Sequence, residues 1–264
     1  MTEEVERLLK QIGTGGLQKA VDSARVIPHH NNNTEEGCIA NGLARYGFLT
    51  ECCYTFDEVD ADHPVKLIPP KPHIWHMCQA FSQHRLCCFP KSRRMIVTWT
   101  LCALDLVTAM YTPYSHIYII SSDQTKSDSL VGRVRFLYDN LPDWLLKPTM
   151  TYFKGEKGGI RVVNFPEQHS FVAGLPSDPE KIRQEGATLL HIEEMAFWQW
   201  AAQAYRAMLP TIQGKGKMMI ASSAQSNTHF GHIVFDEQGT NVPATQEFET
   251  LDQQLPGGAG REIA

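Results

Sequence analysis

The sequence has no CxxC pair, no apolar leader and no uncharged stretch long enough to cross a membrane. Its seven cysteines are an odd number, and four of them form two adjacent pairs, Cys52–Cys53 and Cys87–Cys88. A disulfide framework is not expected from that pattern, which fits a reducing compartment. The nearest approach to a span, Met95–Tyr111, is interrupted by Asp105, and the next uncharged run, Leu106–Ser122, carries Pro113 and His116. The N-terminus, MTEEVERLLK, opens with acids, unlike a signal peptide. Basic charge is also short: 24 Lys and Arg against 29 Asp and Glu leave a net −5. A whole-molecule field for gripping nucleic acid is therefore absent, and phosphates would have to be met by a local patch. No internal repeat is visible. These absences predict a soluble intracellular protein.

What is present is core material. Of 264 residues, 42% are apolar and 20% charged, which excludes a disordered or collagen-like chain and allows one large domain with at most a small appendage. Residues 1–50 read as a helical appendage: Val5, Leu8, Leu9 and Ile12 share one helix face, and a second weak helical stretch runs into His29–Asn33, a loop. Between Phe48 and Pro72 the pattern is irregular. From Arg85 onward, short apolar runs (Leu86–Phe89, His116–Ser121, Ile160–Phe165, Ser170–Ala173, Thr188–Ile192, Lys217–Ser222) alternate with helical patterns over Thr98–Tyr111, Gln124–Leu141 and Trp200–Leu209. That alternation predicts an α/β fold with a mainly parallel sheet flanked by helices. The main domain is expected over 51–240, and the Gly-rich 241–264 reads as a flexible polar tail.

One dense stretch, His73, His76, Cys78, His84, Cys87 and Cys88, falls within sixteen residues. Its spacing matches no common zinc pattern. A helix over Ile74–Phe81 and a buried strand carrying small apolar thiols is the simpler reading.

Parallel sheets bind ligands at the carboxyl ends of their strands. After the first strand comes Pro90-Lys91-Ser92-Arg93-Arg94-Met95-Ile96-Val97-Thr98, so three cations, two hydroxyls and a helix N-terminus converge at one strand end. Helix N-termini and cations both bind phosphate, although a solvated basic turn accounts for this stretch alone equally well. After the fifth run, Leu189–Ile192 ends in Glu193-Glu194. In a nucleotide-hydrolysing α/β fold, the first such carboxylate holds Mg²⁺ and the second polarises the attacking water. After the last run come Ser222 and Ser223, small hydroxyls that could sense a phosphate or that water, although a plain turn accounts better for this stretch alone.

In this order the motifs resemble the ATPase domain of the large terminase subunit, the DNA-packaging motor of tailed bacteriophages. The resemblance covers roughly Phe48 to Glu237 and rests on Lys91–Trp99, Pro179–Arg183, Glu193–Phe197 and Lys217–Ser223, with Ser121–Gln124, Asn140–Trp144 and Leu209–Ile212 in support. It implies a P-loop NTPase fold with ATP and Mg²⁺ as cofactors. Lys91, Ser92, Arg93, Arg94, Thr98, Ser222 and Ser223 would face the nucleotide. Thr98 and Glu193 would hold the metal, and Glu194 would act as general base. Arg183 would serve as an arginine finger in trans, with Arg94 supplying charge in cis. The implied partners are double-stranded DNA, the portal protein, the small terminase subunit and further copies in a ring, in the host cytoplasm at the procapsid portal.

The chain also departs from that family. Ile96 stands where the family has glycine, and a β-branched residue resists positive φ, so the loop is expected either to be shaped differently or to bind phosphate poorly. Val97 takes the usual lysine slot, Glu193 replaces aspartate, and His73 stands where a glutamine contacts adenine. The seventy residues after Glu194 hold six acids and no strand-like cluster of them, so no nuclease activity is expected. Two rivals stay open: a helicase-like DNA translocase, and an assembly module that has lost nucleotide hydrolysis. The segment Lys126–Arg161 carries seven cations (Lys126, Arg133, Arg135, Lys147, Lys154, Lys157 and Arg161) against four acids, a candidate DNA-facing patch, although an ordinary solvated helix face accounts better for its first half.

Overall fold

The computed structural model describes residues 35–235 except 184, 185, 213, 224 and 226. The first expected helix, the His29–Asn33 loop, the polar tail and the six acids after residue 235 lie outside the described residues.

The sheet follows from the apolar runs. Strands β3 (Leu86–Lys91), β4 (His116–Ser121), β7 (Ser170–Pro176), β8 (Leu189–Glu193) and β9 (Lys217–Ser223) are joined in parallel in the order β3-β9-β8-β4-β7. Two strands, β6 (Ile160–Phe165) and β5 (Thr151–Lys154), extend the β7 edge antiparallel. Both faces of the parallel strands are apolar because both are covered. Ile117 and Ile119 of β4, with Met219 and Ala221 of β9, belong to one buried cluster; the alternate residues Tyr118, Ile120, Met218 and Ile220 belong to a second. On the first face lie α1 (Glu35–Cys52), α2 (Pro72–Gln83), α3 (Val97–Tyr111) and α4 (Gln124–Asp139); on the second lie α5 (Pro179–Ile182), α6 (Ala201–Thr211) and α7 (His229–Phe235). The α/β class and the mainly parallel sheet agree with the sequence.

Three local expectations need correcting. The boundary at residue 50 falls inside α1, whose Phe48 and Leu49 are fully buried in the same cluster as α3, so α1 is part of this core. The irregular stretch before Pro72 contains a small antiparallel pair, β1 (Tyr54–Phe56) and β2 (Val65–Leu67). Strand β5, whose four residues are all exposed, is not among the expected strands. In the His73–Cys88 stretch, Cys78, Cys87 and Cys88 are buried thiols outside any disulfide, and burial pushes Cys78 up to about 12.

The start of α4 is anchored to two strands. Asp123 caps the helix by accepting the Lys126 backbone N–H at 3.0 Å. The Ser127 hydroxyl donates to Leu175 O at 2.6 Å and accepts the Ser121 N–H at 3.0 Å. Such a close approach needs Gly174 on β7: a Cβ there would sit 3.0 Å from the Ser127 carbonyl carbon and 3.2 Å from the Asp128 nitrogen. Gly174→Ala should therefore cost about 1–3 kcal/mol, the usual range for overpacking. The midpoint of urea unfolding at unchanged slope measures it; an unchanged midpoint would contradict the close packing.

Candidate functional site

Parallel register brings the carboxyl ends of three strands to one side of the sheet, with β8 ending two residues short of β3 and β9. Lys91 of β3 lies opposite Ser223 of β9, and Ala221 of β9 lies opposite Glu193 of β8. Two strand spacings, about 10 Å, separate β3 from β8, a gap that a lysine and a glutamate side chain bridge between them. Lys91 Nζ donates to Glu194 Oε1 at 2.6 Å and lies 3.2 Å from Glu193 Oε1. The Thr98 hydroxyl, in the first turn of α3, donates to the same Glu193 oxygen at 2.6 Å.

The turn between β3 and α3 is strained. Arg94 (φ 66°) and Ile96 (φ 63°) are both left-handed, and neither is glycine. The loop therefore does not avoid positive φ at Ile96; it adopts it and bears a cost of order 1–3 kcal/mol. The His73 ring donates from Nε2 to Met95 O at 2.9 Å and holds the turn from the side. Beyond it, the first N–H groups of α3 precede the helix's own hydrogen-bond ladder.

Glu194 is left-handed as well (φ 57°). Its backbone N–H donates to Ala221 O at 2.7 Å. Its Oε2 accepts the Ser223 N–H at 2.9 Å and the Ser222 hydroxyl at 3.3 Å, while Oε1 accepts Lys91 and the Ser223 hydroxyl at 3.3 Å. Glu193 is almost fully buried. Burial alone would raise its carboxyl, but the hydrogen bond and charge of His191, with Lys91 and the Thr98 hydroxyl, outweigh burial and hold it below its usual range. Burial likewise opposes charge on Lys91, and the two glutamates outweigh it and keep the amine charged. His191, fully buried, sits between Asp105 (Nδ1 to Oδ2, 2.6 Å) and Glu193 (Nε2 to Oε2, 3.5 Å). Burial would lower its pKa, yet the Asp105 charge and hydrogen bond and the nearby Glu193 push it up to about 9.

Above these groups opens a cavity of about 580 Å³ lined by Lys91, Ser92, Arg93, Ser121, Ser122, Lys126, Glu194, Phe197 and Ser223. Three cations against one carboxylate suit a polyanion. Thr98 Oγ1 and Glu193 Oε1 are hard oxygen donors of the kind Mg²⁺ takes, so the side chains present fit that ion. Of the predicted residues, Lys91, Ser92, Arg93, Glu194 and Ser223 line this cavity, with Thr98 and Glu193 directly behind Lys91. Ser222 does not line it: its buried hydroxyl accepts the Ala196 N–H at 3.0 Å and supports Glu194. Arg94 and Arg183 are exposed and also lie outside the lining. Arg183 pairs with Glu180 at 2.7 Å.

The sequence reading missed the roles of Lys126, Phe197, Asp105 and His191 here. His191 was legible in principle, because residues two apart on a strand share a face. The basic segment is less free than its charge count implies. Arg133 stacks on Trp99, Arg135 on Tyr152, Lys147 lies over Tyr138, and Arg161 pairs with Asp128.

Ile96→Gly should leave stability within about 1 kcal/mol of the parent. Relief of the left-handed strain offsets the lost half-buried side chain and glycine's extra unfolded freedom. Chemical denaturation checks this, and a loss of about 3 kcal/mol or more would contradict strain at this position.

No protein-family model and no curated protein sequence matches the chain. Among solved structures, the large terminase of bacteriophage HK97 aligns with a TM-score of 0.58 at 11% identity, over 77% of this chain and 42% of that one. The large terminase ATPase domain of Thermus phage P74-26 aligns with a TM-score of 0.43 at 17% identity, over 56% of this chain and 62% of that one. The chain thus spans less than two thirds of either protein. Among the described residues, no helix is long and apolar enough to cross a membrane. At these identities the likeness is one of architecture: the chain shares the α/β fold of the HK97 large terminase.

Proposed function

We propose that this chain is an ATPase of a viral DNA-packaging motor, a large terminase subunit that couples ATP hydrolysis to movement of double-stranded DNA. The observation that carries the reading is the convergence of Lys91, Thr98, Glu193 and Glu194 at the carboxyl ends of β3 and β8. It joins a strained strand-to-helix turn and a cation-lined cavity. Such a set suits phosphoryl transfer, in which positioning and charge stabilisation do most of the work.

The chemistry follows from what each side chain is free to do. Polyphosphate in the cavity competes with the two glutamates for Lys91, and Ser92, Arg93 and Lys126 add donors around it. As Lys91 turns to the phosphates, Glu194 keeps its Oε2 on the Ser223 N–H and the Ser222 hydroxyl. Its Oε1, then held only by the Ser223 hydroxyl at 3.3 Å among the contacts described, accepts a proton from an attacking water. Mg²⁺, when bound, neutralises phosphate charge, and Thr98 and Glu193 are the side chains to hold it. Arg183, exposed, outside the cavity and paired with Glu180, is assigned here to a neighbouring copy, so that hydrolysis would depend on a ring of subunits. The proposed partners are double-stranded DNA, the portal protein, the small terminase subunit and those neighbouring copies, at the procapsid portal in the host cytoplasm.

One mixing experiment tests both assignments. Glu194→Gln and Arg183→Ala should each bind ATP, with turnover reduced by about 10²–10⁴ for the base and about 10³–10⁵ for the finger. Mixed in equal amounts, the two should regain part of the lost turnover, because a subunit with an intact base then meets an intact arginine. Parent-like turnover in Glu194→Gln would contradict the base, and a mixture that stays inactive would contradict action in trans.

A further inference from the structure

The geometry points to His191, backed by Asp105, as a positioning pair that fixes Glu193 so that one of its two oxygens is presented to the metal. This rests on the packaging-ATPase reading and assigns a role to two residues which that reading leaves unexplained.

The pair is built by two periodicities. Thr98 and Asp105 are seven residues apart, two turns along one face of α3, while Glu193 and His191 are two apart on one face of β8. The helix starts where the strand ends, so the two faces meet in two rungs. Thr98 bonds Glu193 at 2.6 Å and Asp105 bonds His191 at 2.6 Å. The upright between the rungs is the His191 Nε2 approach to Glu193 Oε2 at 3.5 Å. The two carboxylate oxygens are thereby divided: Oε1 faces Thr98 and Lys91, and Oε2 faces His191. A glutamate here has one more rotatable bond than an aspartate, and so more freedom to lose. When Lys91 turns to a nucleotide, His191 is the neighbour that still restrains Glu193 from behind. Both His191 and Asp105 are fully buried, far from any solvent role. Cys102, one turn before Asp105, completes a set of three groups compact enough to hold a metal ion. Its thiol, however, points its hydrogen at Leu130 O at 3.8 Å.

The test separates metal from nucleotide. Binding of a fluorescent ATP analogue is titrated in EDTA and then against Mg²⁺, for the parent, His191→Leu, His191→Gln, Asp105→Leu and the Asp105→Leu/His191→Leu double variant. Replacing both members by apolar residues keeps the double variant foldable even if a single replacement strands a buried charge. Affinity in EDTA should stay within about threefold, while the Mg²⁺ needed for half-maximal effect rises about 10- to 100-fold, as for other groups that orient a metal ligand. His191→Gln should recover part of the loss. Asp105→Leu should add little once His191 is gone, because it acts through that ring. A parent-like Mg²⁺ requirement in the double variant would overturn the assignment, as would an equal loss in EDTA. So would one equivalent of zinc in the purified parent that disappears in Cys102→Ser, since the cluster would then be a metal centre of its own. A parent that binds no analogue with or without Mg²⁺ overturns the ATPase reading and this assignment with it. A parent that binds while its variants keep the parent's Mg²⁺ requirement overturns this assignment alone.

Discussion

Lys91 sits within 3.2 Å of both Glu193 and Glu194, across two strands of a parallel sheet. That contact constrains everything around it. It requires β3, β9 and β8 to end on the same side of the sheet, with β8 two residues short, which their register provides. It also requires the chain after β3 to turn at once into α3, so that Thr98 reaches the same carboxylate. The price is backbone strain, at Arg94 and Ile96 on one side and at Glu194 on the other. Residues held in such conformations persist where the surroundings over-determine them. Here those surroundings are His73 on Met95 O, Ser223 on Glu194, and the Glu194 N–H on Ala221 O.

The same contact makes the resting site self-neutralising. Burying one carboxylate without a partner costs several kcal/mol. Glu193 is instead ringed by Lys91, Thr98 and His191, and Asp105 lies behind His191. In the proposed function, a polyanionic ligand would replace one set of partners for Lys91 with another, so that the cation would not lie without a counter-charge. Glu194, a third exposed at its side chain, would be the carboxylate left facing the cavity.

Much of this was legible in the sequence, for identifiable reasons. Strands buried on both faces read as continuous apolar runs, and the turn after β3 and the acids after Ile192 fell at strand ends, where parallel sheets place their chemistry. What the sequence hid were features without a local pattern. Thr151–Lys154 is an edge strand with all four residues exposed, so neither alternation nor an apolar run marks it. Phe48 and Leu49 lie in a helix whose partners are distant in sequence. Ile96 was read through its residue type, which disfavours the conformation it takes; tertiary contacts override that preference. The cation count of Lys126–Arg161 said nothing of the aromatic rings and the aspartate that occupy four of the seven side chains. Asp105 looked like a break in an apolar run, whereas its helical spacing from Thr98 places it beneath the site.

The central claim is that Lys91 serves a nucleotide phosphate rather than only a structural ion pair. Phosphate release from ATP, measured with double-stranded DNA present over a wide range of protein concentration and compared with Lys91→Ala, tests it most directly. The account predicts turnover that exceeds the variant's and rises more than linearly with concentration as subunits assemble. Release no greater than that of a folded Lys91→Ala at every concentration would contradict it.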